Sequence, residues 1–165
     1  EQVLRWKTGM YTFLNPLQVG MVLAGAEEDK VNLISKYAHH AGFLFQITDD
    51  ILGTFSSKLD SGKSPIDDMR EGKRTFLTVY ALNNAEPTAK DFLIQNLGNS
   101  DITPAQFERF KEILIECGAL DYAKERASQS AKLAIDSLDA IRDYWPEAGV
   151  EFLEQLVINL LNRKA

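Results

Sequence analysis

Only one cysteine, Cys117, occurs in the 165 residues. No disulfide can therefore close within the chain, and no Cys/His cluster has zinc-ligand spacing, so a reducing, cytoplasmic setting is the simplest compartment. Long apolar runs are missing as well. The longest apolar stretches, such as 150–161, are interrupted by Glu and Gln and fall short of the roughly 20 residues that span a bilayer. No charged-then-apolar leader opens the chain, which reads as soluble and unexported. Positive charge is in deficit, with 18 Lys and Arg against 24 Asp and Glu and a net charge of -6. This argues against nucleic acid or an anionic membrane as the main partner, and any anion binding must be local. Strand signals are nearly absent too, because β-branched residues are scattered without sustained alternation.

What is present is ordinary globular composition, 45% hydrophobic and 25% charged. That is enough to bury roughly two thirds of the unfolded surface in one core. Apolar positions recur at helical spacing from end to end, so the fold is expected to be all-α, a helical bundle in a single domain over 1–165. The spacing predicts helices over 2–14, 16–24, 28–54, 75–83, 87–96, 104–116, 120–144 and 147–162. Asn15-Pro16, Thr103-Pro104 and Trp145-Pro146 supply the breaks. Residues 56–74 form the one long irregular stretch, of the kind that is usually functional. The chain has no initiator Met, and its first residues start inside a helical period without a cap, so it is expected to be the back part of something longer.

Between Tyr37 and Phe55 the only charges are Asp49 and Asp50. At about 100° per residue, Leu44, Ile47, Ile51 and Phe55 group on one side, and Gly42, Phe45, Gln46, Asp49 and Gly53 on the other. An isolated Asp-Asp pair is most often a solvated helix face, but these surroundings suggest burial. A buried carboxylate costs several kcal/mol unless cations or donors compensate it, so Asp49 should face a cavity holding metal ions, lysines or both. Hard oxygen ligands favour Mg²⁺, which keeps waters and bridges to phosphates. Asp50, rotated by about 100°, could share the same metal water shell or point to a lysine. The following loop places lysines after glycines at Gly62-Lys63 and Gly72-Lys73. Glycines let backbone and ammonium approach a phosphate, although a solvated basic turn is the commoner fate of such a loop.

The run Phe43-Leu44-Phe45-Gln46-Ile47-Thr48-Asp49-Asp50-Ile51-Leu52, then Gly62-Lys63, then Asp68-Met69-Arg70-Glu71-Gly72-Lys73-Arg74-Thr75 resembles the second aspartate-rich region of the trans-isoprenyl diphosphate synthases, or polyprenyl synthetases. Upstream, Trp6-Lys7-Thr8-Gly9 with Tyr11-Thr12-Phe13 and Pro16 is similar to the Lys-Thr segment of the same family. The resemblance implies a large all-α bundle around a central cavity, in which two aspartate-rich motifs hold Mg²⁺ against an allylic diphosphate. It implies that Asp49 ligates Mg²⁺ and Asp50 supports the metal waters. Lys7 and Lys63 would hold the allylic diphosphate, and Lys73 would bind diphosphate or a metal water. Thr8 and Gln46 would line the reacting centre, and Phe45 would flank the hydrocarbon.

The implied reaction condenses isopentenyl diphosphate with the allylic diphosphate to give a short all-trans prenyl diphosphate, in a homodimer. Mg²⁺ and lysines neutralise the departing diphosphate, and a diphosphate oxygen takes the proton. No first Asp-Asp-x-x-Asp precedes Lys7, and the family's Gly-x-x-x-Arg-type site is missing. The chain is thus expected to be the C-terminal half of such an enzyme, incomplete alone. Where the second motif often carries a third Asp, this sequence has Gly53. A noncatalytic subunit of the same family, or a helical scaffold whose aspartates are merely exposed, are the other readings.

Other residues call for no chemistry. His39 and His40 diverge by about 100° as helix neighbours and are not expected to chelate one metal. Cys117 lacks a His/Asp partner pattern and reads as a small core residue. Tyr144 and Trp145 read as core or dimer contacts, and Leu133, Leu138 and Ile141 as ordinary helix burial.

Overall fold

The computed structural model describes the backbone of residues 5–56 and 65–163, and side chains from Gly9 onward within those spans. A π-helical segment, Arg5–Leu14, leads into α1 (Asn15–Leu23), α2 (Glu28–Leu33) and α3 (Ser35–Phe55). After it come α4 (Ile66–Arg70), α5 (Phe76–Asn84), α6 (Pro87–Asn96), α7 (Pro104–Glu116), α8 (Ala119–Ser137), a 3-10 turn (Leu138–Ala140) and α9 (Glu147–Leu161). Every regular element among the described residues is helical, so the chain is all-α. None of these helices is long and apolar enough to cross a membrane.

Local chemistry explains most of the boundaries. Thr103 and Gln106 form a reciprocal capping box ahead of α7, with Pro104 in the first turn. Proline also opens α1 and α6. Three boundaries differ from the sequence reading. The expected helix 28–54 is two, because the ladder lapses at Ile34 while its backbone stays right-handed (φ -70°, ψ -13°); neither Pro nor Gly announces that break. The expected helix 120–144 ends at Ser137 and tightens into the 3-10 turn. The supposedly irregular stretch 56–74 contains α4.

The described residues divide into two compact units, one up to Thr48 and from Arg126 to Arg163, the other from Asp49 to Glu125. The borders fall inside α3 and α8. In the first unit, Ile34, Tyr37, Ala38, Ala41, Leu44 and Ile47 of α3 and the turn before it are fully buried, as are Ala134, Leu138, Val150 and Val157. The Tyr37 hydroxyl donates to the Leu153 carbonyl at 2.9 Å, which satisfies a buried polar group and ties α3 to α9. Burial pushes the Tyr37 phenol well above its ordinary value, so it stays a donor. In the second unit, Met69, Leu77, Ala81, Leu93, Ile113 and Leu114 make up much of the core.

Candidate functional site

The first unit brings the Lys-Thr segment to α3 through two glycines. A Cβ on Gly42 would lie 2.5 Å from the Gly9 Cα, so the two backbones touch where no side chain fits. Lys7 and Thr8 immediately precede that contact in the π-helical segment, but their side chains lie outside the described residues. Phe45 and Gln46, three and four residues after Gly42 on α3, are half-buried. The Phe45 ring lies 5.8 Å from Phe13 in a tilted pair, and the Arg163 guanidinium sits 5.6 Å from its centroid.

In the second unit the aspartate pair divides. Asp49 is exposed, contrary to the expectation of burial, and Asp50 is the buried one, at 8% exposure. The physical reason is a donor the sequence does not advertise: the Phe76 amide, at the start of α5, donates to Asp50 Oδ2 at 2.8 Å. The Thr54 hydroxyl donates to the Asp50 carbonyl at 2.9 Å one turn on. Thr75 caps α5 by accepting from the Thr78 amide at 3.2 Å.

The loop's second lysine is held by a helix stop. α4 ends in a left-handed Gly72 (φ +64°), with the Gly72 amide bonded to the Met69 carbonyl and the Lys73 amide to the Asp68 carbonyl at 3.0 Å. This six-to-one and five-to-two pattern is the Schellman arrangement, and it turns Lys73 back over Asp68. Lys73 Nζ then reaches Asp68 Oδ1 at 2.6 Å and Glu71 Oε2 at 2.9 Å. Hydrogen bonds to Asp68 first, then Glu71, hold the ammonium above the ordinary lysine range, so it stays charged. Asp68 Oδ2 stands 3.6 Å from the place of a Cβ on Gly53. A carboxylate from the loop thus lies against the helix position where the sequence lacks its third aspartate. Thr54, Asp68, Lys73, Thr75 and Thr78 line one small recess.

Lys63 lies outside the described residues. The residues sequence reasoning passed over are Asp68 and Phe76; the Asp-x-x-x-Gly-Lys spacing is the signal for the first, and the second acts through its backbone. His39 and His40 sit with ring centroids 5.4 Å apart, nearer than divergence along a helix suggests, and both are half-buried.

The donors suit Mg²⁺. Asp49 is an exposed hard carboxylate, and Gly53, beside Asp68 Oδ2, lies one helical turn further along the same face. Among the described residues no three His, Cys, Asp or Glu side chains are grouped closely enough to hold an ion unaided. An ion here would therefore complete its shell with water and phosphate oxygens, which is the habit of Mg²⁺.

Residues 1–114 match the model of the polyprenyl synthetase family. The chain is 33% identical over 159 residues to a geranylgeranyl diphosphate synthase of Saccharolobus solfataricus, covering 95% of this chain and 47% of that protein. It is 34% identical over 124 residues to a geranylfarnesyl diphosphate synthase of Aeropyrum pernix, covering 75% of this chain and 38% of that protein. Its fold superimposes with a TM-score of 0.91 and 32% identity on the Corynebacterium glutamicum geranylgeranyl pyrophosphate synthase complexed with isoprenyl diphosphate and magnesium, over 98% of this chain and 45% of that one. The chain spans less than half the length of each of these relatives. Matched over its first 114 residues and across nearly its whole fold, the chain belongs to the polyprenyl synthetase family.

Proposed function

We propose that this chain is the C-terminal portion of a short-chain trans-prenyltransferase and carries the diphosphate-ionising half of its site. The complete enzyme condenses isopentenyl diphosphate with an allylic diphosphate and acts as a homodimer. The observation that carries the reading is the exposed Asp49 on α3 with the Asp68–Lys73 pair seated at Gly53, one turn further on. Asp49 would hold Mg²⁺, which would supply positive charge for the departing diphosphate oxygens when the allylic C–O bond breaks. Lys73 stays protonated and offers an ammonium to the same oxygens, with Lys7 and Lys63 as further phosphate ligands. Phe45 flanks the hydrocarbon, and Thr8 and Gln46 orient the reacting end.

A noncatalytic subunit is favoured by one observation, Gly53 in place of a helix carboxylate. The exposed apolar residues Val19, Val22 and Leu23 on α1 suit either role, because each leaves a further surface to be covered.

The test is a calorimetric titration of geranyl diphosphate into the purified chain, with and without Mg²⁺, and into Asp49→Asn and Lys73→Ala. Mg²⁺-dependent binding that weakens about tenfold or more in both variants supports a half-site. Binding indifferent to Mg²⁺ and to both substitutions overturns it.

A further inference from the structure

We propose that Asp50 is a positioning residue. Its carboxylate receives the first amide of α5 and pins the end of the loop that carries Lys73 to the second half of α3.

The first four amides of a helix have no partner within it. In α5 one of them, Thr78, is taken by the Thr75 hydroxyl of the helix's own cap. Another, Phe76, is taken by a side chain from an element 26 residues earlier, Asp50. A carboxylate at a helix N-terminus also meets the positive end of the helix dipole, which accounts for an acid left only 8% exposed. The amide is aimed by a rigid platform, because the Phe76 ring stacks on Tyr122 at 5.5 Å and Tyr122 on Tyr80 at 4.5 Å.

The segment from Asp68 to Phe76 is consequently fastened to α3 at two points three residues apart. Phe76 bonds to Asp50, and Asp68 rests on Gly53. Between them Lys73 is folded back by its Schellman bond to Asp68. Without the Asp50 contact one fastening is lost, and the Asp68–Lys73 pair is held to α3 at Gly53 alone. On this assignment the adjacent aspartates differ in kind: Asp49 faces ligand by virtue of its charge, and Asp50 works as a hydrogen-bond acceptor. The ligand half of that statement rests on the proposed function; the contact with Phe76 does not.

Asparagine separates the two roles, since it keeps the acceptor and removes the charge. In the full chain, hydrogen exchange at the Phe76 amide is expected to stay slow in Asp50→Asn and to accelerate about tenfold or more in Asp50→Ala. Asp50→Ser, too short to reach the amide, serves where the alanine variant does not fold. Mg²⁺-dependent affinity for geranyl diphosphate is expected to be about fivefold or more lower in Asp50→Ala than in Asp50→Asn. Unchanged Phe76 exchange in the alanine or serine variant overturns the proposal. So does loss of affinity in Asp50→Asn equal to that in Asp49→Asn with Phe76 still protected, because charge would then be what matters. Should wild type bind no diphosphate, the proposed function fails while the exchange readout still decides the role of Asp50.

Discussion

Gly9 and Gly42 meet backbone to backbone, with the space for a Gly42 Cβ only 2.5 Å from the Gly9 Cα and 3.1 Å from its nitrogen. Neither main chain can retreat cheaply, because Ala41 and Leu44 beside Gly42 are fully buried. Gly42→Ala is expected to cost about 1–3 kcal/mol by overpacking. For a chain of this size that is a fall in Tm of roughly 3–10 °C, read by calorimetry. Gly20, exposed in α1 with nothing within 4 Å of its Cβ position, is the control. Gly20→Ala is expected to raise stability by about 0.5–1 kcal/mol, so opposite signs at two helical glycines check the contact itself.

At Gly53 the expected effects are electrostatic. A Cβ there meets Asp68 Oδ2 at an ordinary 3.6 Å, so Gly53→Ala is expected to be tolerated. Gly53→Asp adds a second carboxylate beside Asp68 and competes for Lys73. The variant is expected to be less stable than Gly53→Ala at low salt, and to recover when Asp68→Asn is added. A double-mutant cycle by thermal denaturation measures this coupling, and additive effects would mean that the two positions do not interact.

Much of this architecture is legible in the sequence, and the exceptions share a cause. Helical periodicity and the Thr103-Pro104-Gln106 cap announce α7 without any tertiary information. The apolar side of α3 is likewise readable, and Leu44 and Ile47 are fully buried there. The burial order of Asp49 and Asp50 is not readable, because the compensating donor is a backbone amide that folding brings from 26 residues away. Lys73 is visible as a candidate phosphate ligand, yet its fold-back over Asp68 depends on the left-handed Gly72 ending a helix of only five residues. Such a helix is too short to show a period. The break at Ile34 lacks any Pro or Gly marker.

Lys73 should carry its charge throughout the working range. Its pKa is raised by hydrogen bonds to Asp68 and then Glu71. The Lys73 contribution to the ion pairs is therefore complete below the ordinary lysine value of 10.5 while the carboxylates are ionised, and is lost as pH rises through the higher folded value. Between about pH 6 and 9, diphosphate binding is expected to show no limb from Lys73 deprotonation. NMR titration of the lysine side chains is expected to place the Lys73 midpoint above the ordinary lysine value of 10.5, and Asp68→Asn with Glu71→Gln to bring it down. A Lys73 midpoint at or below the ordinary lysine value in wild type would contradict the two ion pairs.

His40 gives the opposite pH signature. Its pKa is lowered from 6.5, first by burial, then by the neighbouring His39 and by Lys36. Protonation is thus disfavoured in the folded chain, and the unfolded chain binds more protons between the lowered value and 6.5. Stability is expected to be complete above about pH 6.5 and to decline as pH falls below it, so the contribution is lost on acidification. His40→Gln removes the titration while keeping a polar side chain, and is expected to flatten the slope of Tm against pH between about 5 and 6.5. His39→Gln, which takes away one source of repulsion, is expected to flatten it less, because burial is the larger cause. Equal slopes in wild type and His40→Gln would assign the acid limb to the carboxylates instead.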